Sequence, residues 1–419
     1  MSEPSPGVGP VVLRGGRPVR TPAGGAPGEQ LTDFGRQVFG RPAVVYQPRS
    51  PRSLREAVAE AAADGRVVVP RGRGHSVDGQ TVLDDSALVD LSGLRRVREV
   101  TDDAVTVDAG ATWRDVLRAT LPRRRAPAVV PDYLDLTVGG TLSMGGINGA
   151  SHRCGTTADH VRRGTVVSDD GAAQEVPGGG AVLDRVLTGQ GRHGILATAT
   201  LSLRPVPRRV RRSDVVTRTL QDHIDVQRNL LDTGTVHWLE GFATPGRDGA
   251  PTFTSRLAQP DDHGSTLVMD RTRGRSDLLD FFARADRVVA SERARGRWQH
   301  NPHPRMQMIL PLGPGREVVD ELLGRGAGHL LGPGGTLMVT VTIAAALRRL
   351  AVHGDDSGHA LVVGWQRTAP RGDGPALRRM QAENRHLAAL VVEAGGVLYG
   401  AGPALDPSEP CGVLRRRGR

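Results

Sequence analysis

Apolar positions in the first half of this chain come as short runs separated by turns and by stretches of helical spacing. Residues 42–46 (Pro-Ala-Val-Val-Tyr) and 66–70 (Arg-Val-Val-Val-Pro) read as strands. Between them, alanine, valine and leucine recur over 54–63 at the spacing of one helix face. The unit is β-α-β, with Ser53 expected as the helix N-cap and Asp64-Gly65 as its stop. Further strands are predicted over 87–91, 104–110, 164–168, 174–176 and 194–203, and helices at Thr112-Trp113 and over 183–187. Two glycine-rich stretches, 71–80 and 139–149, read as loops. After Pro205 and Pro207 the texture changes to longer helical patterns, 276–291 and 377–394, with strands over 236–242 and 336–343. The pattern predicts an α+β chain: a disordered leader over 1–30, a first domain over 31–206, a second over 207–400 and a tail over 401–419. No fixed-period repeat is visible.

Composition narrows this picture. With 419 residues the chain can bury two domain cores, and 55 glycines, 29 prolines and few aromatics suit a loop-rich α/β texture. The net charge of +10 does not point to nucleic acid: every non-histidine base is arginine, and the arginines are scattered along the chain. No apolar run approaches the ~20 residues of a membrane span. The N-terminus lacks the apolar core of a secretory signal, so a cytoplasmic location is expected. Two cysteines, Cys154 and Cys411, make no disulfide framework. His152-Arg153-Cys154 offers two metal-type ligands, too few for zinc, so no metal is expected.

The candidate chemistry lies in the glycine-bearing segments. Pro70-Arg71-Gly72-Arg73-Gly74-His75-Ser76-Val77-Asp78-Gly79-Gln80 follows a strand, and its glycines let successive backbone N–H groups turn toward one anion. Ser76 and Gln80 could add side-chain hydrogen bonds. Taken alone, such a loop is more often only a turn, and His75 an exposed turn histidine. In Pro131-Asp132-Tyr133-Leu134-Asp135-Leu136-Thr137-Val138-Gly139-Gly140-Thr141-Leu142-Ser143, the glycines permit close approach to a pyrophosphate, and Thr137 and Ser143 offer hydroxyl donors. A third segment carries dinucleotide spacing at Gly189, Gly191 and Gly194, but runs into a strand rather than a helix, which argues against a dinucleotide fold of that kind.

Together these segments resemble the signatures of cytokinin dehydrogenases, a branch of the vanillyl-alcohol-oxidase family with its PCMH-type FAD-binding domain. The matching motifs are Arg71-Gly72-Arg73-Gly74-His75-Ser76, then Asp132-Tyr133-Leu134 with Thr137-Val138-Gly139-Gly140-Thr141-Leu142-Ser143, and then Gly189 to Thr198. Weaker matches are Trp238-Leu239-Glu240-Gly241-Phe242, Pro302-His303-Pro304 and Glu383-Asn384-Arg385. The resemblance implies a two-subdomain FAD-binding domain plus an α/β substrate-binding cap. It implies FAD bonded through its 8α-methyl carbon to His75, held by Gly72, Arg73, Gly74, Ser76, Gln80, Asp132, Thr137, Gly140, Ser143, Ile147, Ile195 and Leu196. Cys154 follows the Gly-Gly step, whereas the family's second, cysteine-linked bond precedes it, so one covalent bond is expected.

The implied reaction is oxidation of a secondary amine on an N6-substituted adenine. Hydride goes to flavin N5, Asp132 is the base with a raised pKa, and oxygen or a quinone accepts the electrons. Asp135 is a rival base without a family match. Asp270 is the expected second acidic residue, and Glu240 could fill the same part. The resemblance ends near Tyr399; the family's closing Leu-Ser-Pro-Gly-Gln-like segment has no counterpart in Ala401-Gly402-Pro403. Oxidation of an alcohol or biosynthetic intermediate, or flavin binding without catalysis, are the competing expectations. No nucleic-acid or membrane partner is expected.

Overall fold

A computed structural model describes residues 31–246, 250–261, 271–297, 299–324 and 336–402, together with the backbone of two strands at 11–14 and 17–20. The first β-α-β unit forms as expected: strands Val44–Gln47 and Val68–Arg71 flank the helix Pro51–Ala63. Leu54, Ala57, Val58 and Ala61 are its buried face, at the i, i+3, i+4, i+7 spacing of one helical stripe. The cap is Ser50 rather than Ser53. Ser53 sits three residues in, and the two serines satisfy each other's backbone N–H groups in a capping box, with Pro51 opening the helix.

The first sheet runs Arg17–Arg20, Val11–Arg14, Val44–Gln47, Ala87–Asp90, Val68–Arg71, parallel except for its first strand. Two of these strands lie in the segment expected to be disordered. The β-branched run Val11-Val12 favours an extended backbone, and Val44–Gln47 offers it a parallel edge to pair with. The second sheet is antiparallel, in the order Ala173–Pro177, Val161–Val167, Ile195–Ser202, Ala104–Asp108, Val97–Val100. The helix Pro51–Ala63 packs with both sheets, sharing one core with Tyr46 and Val89 of the first and Val167 and Ile195 of the second.

The stretch 139–149, read as a loop, begins as the helix Val138–Met144. Thr137 caps it by accepting from the Gly140 amide. Its two glycines lower the helix signal, and tertiary packing requires one of them: a Cβ on Gly139 would lie 2.8 Å from that of Ala109.

From Arg209 onward the strands build one eight-stranded antiparallel sheet: Arg271–Asp277, Arg209–Thr217, Pro251–Pro260, Trp238–Pro245, Thr336–Ile343, His359–Gln366, Met306–Pro311, Val397–Leu398. The helices Leu220–Asp232, Leu312–Gly324 and Gly374–Glu393 share a core with it, joining Ile224, Val319 and Leu387 to Val339, Val341 and Leu361. The single helix expected over 276–291 is different in the structure. Arg271–Asp277 is captured as a strand by the edge of Arg209–Thr217, and the helix that follows is broken at Ala283 into Leu278–Phe282 and Arg284–Ala294. Among the described residues no helix is long and apolar enough to cross a membrane.

Candidate flavin and active site

The loop after Val68–Arg71 is shaped from behind by a segment the sequence did not single out. The Phe34 amide donates to the Gly74 carbonyl (2.8 Å), the Gly35 amide to the Ser76 carbonyl (3.1 Å), and Gln37 Nε2 to the Val77 carbonyl (2.9 Å). In a trans peptide the following N–H points opposite to the carbonyl, and there are no cis bonds here. The amides of His75 and Val77 are therefore aimed away from this segment. Two amides, at alternate positions of the loop, are thereby turned toward the side a cofactor would occupy. The backing segment is tight: a Cβ on Gly35 would lie 1.7 Å from the Val77 carbonyl oxygen. His303, of the Pro-His-Pro element, stacks on Phe34 at 4.2 Å and donates its backbone N–H to the Gly35 carbonyl (2.8 Å), so it buttresses the loop from the second unit.

The glycine-bearing segments converge. Gly72 abuts Thr137 so closely that a Cβ would stand 2.4 Å from the threonine Oγ1. Gly140 is exposed on the helix that Thr137 caps, whereas Gly139 is buried. The amides of Val138 and Gly139 donate to the Ala111 and Ala109 carbonyls, so the amides at this helix start bond within the chain. Ser143, half-buried, accepts from the Gln190 amide through its carbonyl (2.9 Å), docking the third segment beside the second. Ile195 and Leu196 follow as buried strand residues. Ile147 lies half-buried beside Leu350 and Tyr399.

Three side chains expected to reach the cofactor have partners within the chain. Gln80 is buried, accepts from the Asp78 amide (3.0 Å) and donates to the Gly400 carbonyl, so its carboxamide ties the loop to the C-terminal segment. The Ser76 hydroxyl is 3.0 Å from that of Thr81. Arg73 is exposed and its Nη2 lies 3.3 Å from Asp135.

His75 is enclosed, its side chain only 12% exposed. Its Nε2 lies 3.5 Å from Asp135 Oδ2, and its ring meets Tyr133 edge-on at 4.9 Å. The hydrogen bond from His75 holds the Asp135 carboxyl down to about 2 against partial burial, with the Arg73 charge assisting. The sequence suggested Asp135 only as a rival base; the structure places it as the partner of His75.

Asp132 comes from the same segment and faces elsewhere. It lines a cleft of about 500 Å³, part of it open to solvent, together with Asn148, Glu240, Gln307, Met338 and Thr340. Along the strand Thr336–Ile343, Met338, Thr340 and Thr342 line the cleft, Leu337 and Val339 belong to the core behind, and Val341, also of that core, reaches the cleft wall. Arg284 Nη2 bonds Asp132 Oδ1 and also Glu240 Oε1 (3.0 Å). Its guanidinium lies over Trp238 and Phe281 at 4.1 and 4.7 Å. Burial, and then the neighbouring Asp132 charge, raise the Glu240 pKa well above the ordinary carboxyl range, while Arg284 opposes the rise. A protonated Glu240 can donate to Asp132, so the two carboxyls can share a proton above a common cation.

Arg284 was invisible in the sequence, being one of 55 arginines in a stretch read as uninterrupted helix. Asp270 lies outside the described residues. Glu383 and Asn384 bind Arg367 and so take a structural place away from the cleft. The chain's residues fit a flavin dinucleotide: outward amides, a glycine at 72 packed too close to Thr137 for any side chain, and an enclosed imidazole in the same loop. When bound, FAD would supply the two-electron acceptor, and the chain supplies the outward amides and the carboxyl pair.

Comparison with known proteins agrees with this scaffold. The FAD binding domain family matches residues 42–176. The chain is 30% identical over 401 residues to the uncharacterized oxidoreductase ORF5 in the fasciation locus of Rhodococcoides fascians, covering 90% of this chain and 89% of that protein. It is 35% identical over 245 residues to cytokinin dehydrogenase 7 of Oryza sativa subsp. japonica, covering 54% of this chain and 47% of that enzyme. With cytokinin dehydrogenase 1 of Arabidopsis thaliana it shares 26% over 330 residues, 67% of this chain and 57% of that one. Two sheets bearing three glycine-rich segments define an FAD-dependent oxidoreductase with an α+β, PCMH-type fold. The chain belongs to the cytokinin dehydrogenase-like branch of these flavoproteins.

Proposed function

We propose that the protein oxidises a carbon–nitrogen bond of a secondary amine on an N6-substituted adenine, with FAD held covalently through His75. The observation that carries this reading is the meeting of Asp132 and Glu240 on Arg284 in the wall of the cleft. Ile147, Leu239, Met338, Leu347 and Val362 give the cleft apolar walls suited to a planar ring and a hydrocarbon substituent. Gln307, and the hydroxyl hydrogen of Thr340, whose oxygen accepts from the Gly241 amide, can hydrogen-bond ring nitrogens.

Asp132, paired with Arg284, takes the amine proton as the carbon loses hydride. Glu240, whose burial favours the neutral carboxyl, hydrogen-bonds Asp132 and limits the build-up of charge. Water then hydrolyses the imine to a free amine and an aldehyde. The electrons pass to dioxygen or a quinone.

The test is to mix the purified yellow protein anaerobically with isopentenyladenine. Bleaching is expected in the native protein. Asp132→Asn should keep its flavin and lose turnover by about 10²–10⁴-fold, the usual worth of a positioned base. Full activity in that variant removes Asp132 from the role. A native protein that isopentenyladenine never bleaches, yet another amine or alcohol does, removes the adenine substrate.

A further inference from the structure

The segment that supplies Asp132 to the cleft supplies a second carboxylate to His75. Asp135 Oδ2 faces three donors: His75 Nε2 at 3.5 Å, Arg73 Nη2 at 3.3 Å and the Tyr133 hydroxyl at 3.5 Å. With that donor set the carboxyl is ionised and can only accept hydrogen bonds. The imidazole nitrogen turned toward it must therefore carry the hydrogen. In a neutral imidazole that leaves the lone pair on the other nitrogen, Nδ1. The ring is also enclosed, 12% exposed, and packs T-shaped with Tyr133 at 4.9 Å between centroids, with Phe34 at 6.2 Å.

We infer that Asp135 is a positioning residue for cofactor attachment: it holds His75 as the Nε2–H tautomer and so presents Nδ1 as the nucleophile. The inference rests on the covalent reading given above. Nδ1 of His75 bonds to the 8α carbon of the flavin as one C–H bond of that methyl group breaks. The proton goes to solvent and the electron pair to the ring system. Dioxygen takes up the two electrons, so that imidazole N–H, methyl and O2 become an N–CH2 link and hydrogen peroxide. Positive charge develops on the imidazole as the N–C bond forms, and Asp135 stabilises it through Nε2–H until that proton is released.

The test uses full-length chain produced in riboflavin-starved cells and then given FAD in air, with acid-precipitable flavin followed over time. Native protein should become acid-stably yellow, and His75→Ala should not. Asp135→Asn and Asp135→Ala should bind FAD reversibly but attach it at least about tenfold more slowly, since a carboxylate that sets a histidine's tautomer can be worth far more than that. Asp135→Glu should recover part of the rate. Attachment by Asp135→Asn and Asp135→Ala at the native rate overturns the role of Asp135 and leaves the covalent reading intact. Native protein that never retains flavin in acid overturns both. A second measurement does not depend on the variants folding: proteolysis of the native flavoprotein and identification of the linked nitrogen. Linkage at Nδ1 supports the inference, and linkage at Nε2 overturns it.

Discussion

The flavin loop rests on two buried carboxyls, and this gives the protein a pH dependence that can be worked out. Asp33 accepts from the Gly79 amide at 2.7 Å, and Asp78 accepts from Gln37 Nε2 at 3.1 Å. Both are nearly inaccessible to solvent. Burial, with the Asp33 charge adding to it and the Gln37 hydrogen bond opposing, pushes Asp78 up to about 8. Burial likewise pushes Asp33 up to about 6 against the Gly79 hydrogen bond.

A carboxyl whose pKa is higher folded than unfolded contributes stability that is complete below its unfolded value, near 3.8, and lost as pH rises through its folded value. Each unit in that window costs about 1.4 kcal/mol. Asp78→Asn keeps the shape and the acceptor oxygen but cannot ionise. The variant's advantage in unfolding free energy should therefore widen by about 4 kcal/mol between pH 5 and pH 8, and level off above that. Urea unfolding of the FAD-loaded protein at pH 5, 6, 7, 8 and 9, native against Asp78→Asn, measures it. Parallel stability curves from pH 5 to 8 would refute the claim that this carboxyl is held protonated under the loop.

Other consequences follow from the same geometry. Arg284→Met leaves Glu240 buried beside Asp132 without its cation. The loss should be about 3–5 kcal/mol at pH 8 and smaller in acid, since burial of Glu240 favours its neutral form, as read by urea midpoints. A penalty independent of pH would mean that the guanidinium acts there by packing alone. Gly35→Ala places a methyl inside the Val77 carbonyl and should cost about 1–3 kcal/mol and lower flavin content. Native flavin occupancy in that variant would show that the backing segment does not shape the loop.

The sequence by itself determined the local framework. Helical spacing of Leu54, Ala57, Val58 and Ala61 and the short apolar runs beside them specify a β-α-β unit whatever surrounds it. Glycines at 72, 74, 139 and 140, where contact or backbone conformation excludes a side chain, mark the flavin cradle. Which side chains meet was decided only by the tertiary structure. Asp132 and Asp135 lie three residues apart in one loop, and no spacing rule says that one meets Arg284, 152 positions on, while the other meets His75, 60 positions back. The same holds for Arg271–Asp277, drawn into a sheet edge, and for Gln80, tied to the Gly400 carbonyl instead of being free for a cofactor. Periodicity reports which face of an element is apolar. Pairing of charges, and capture by an open edge, depend on what the rest of the fold brings alongside.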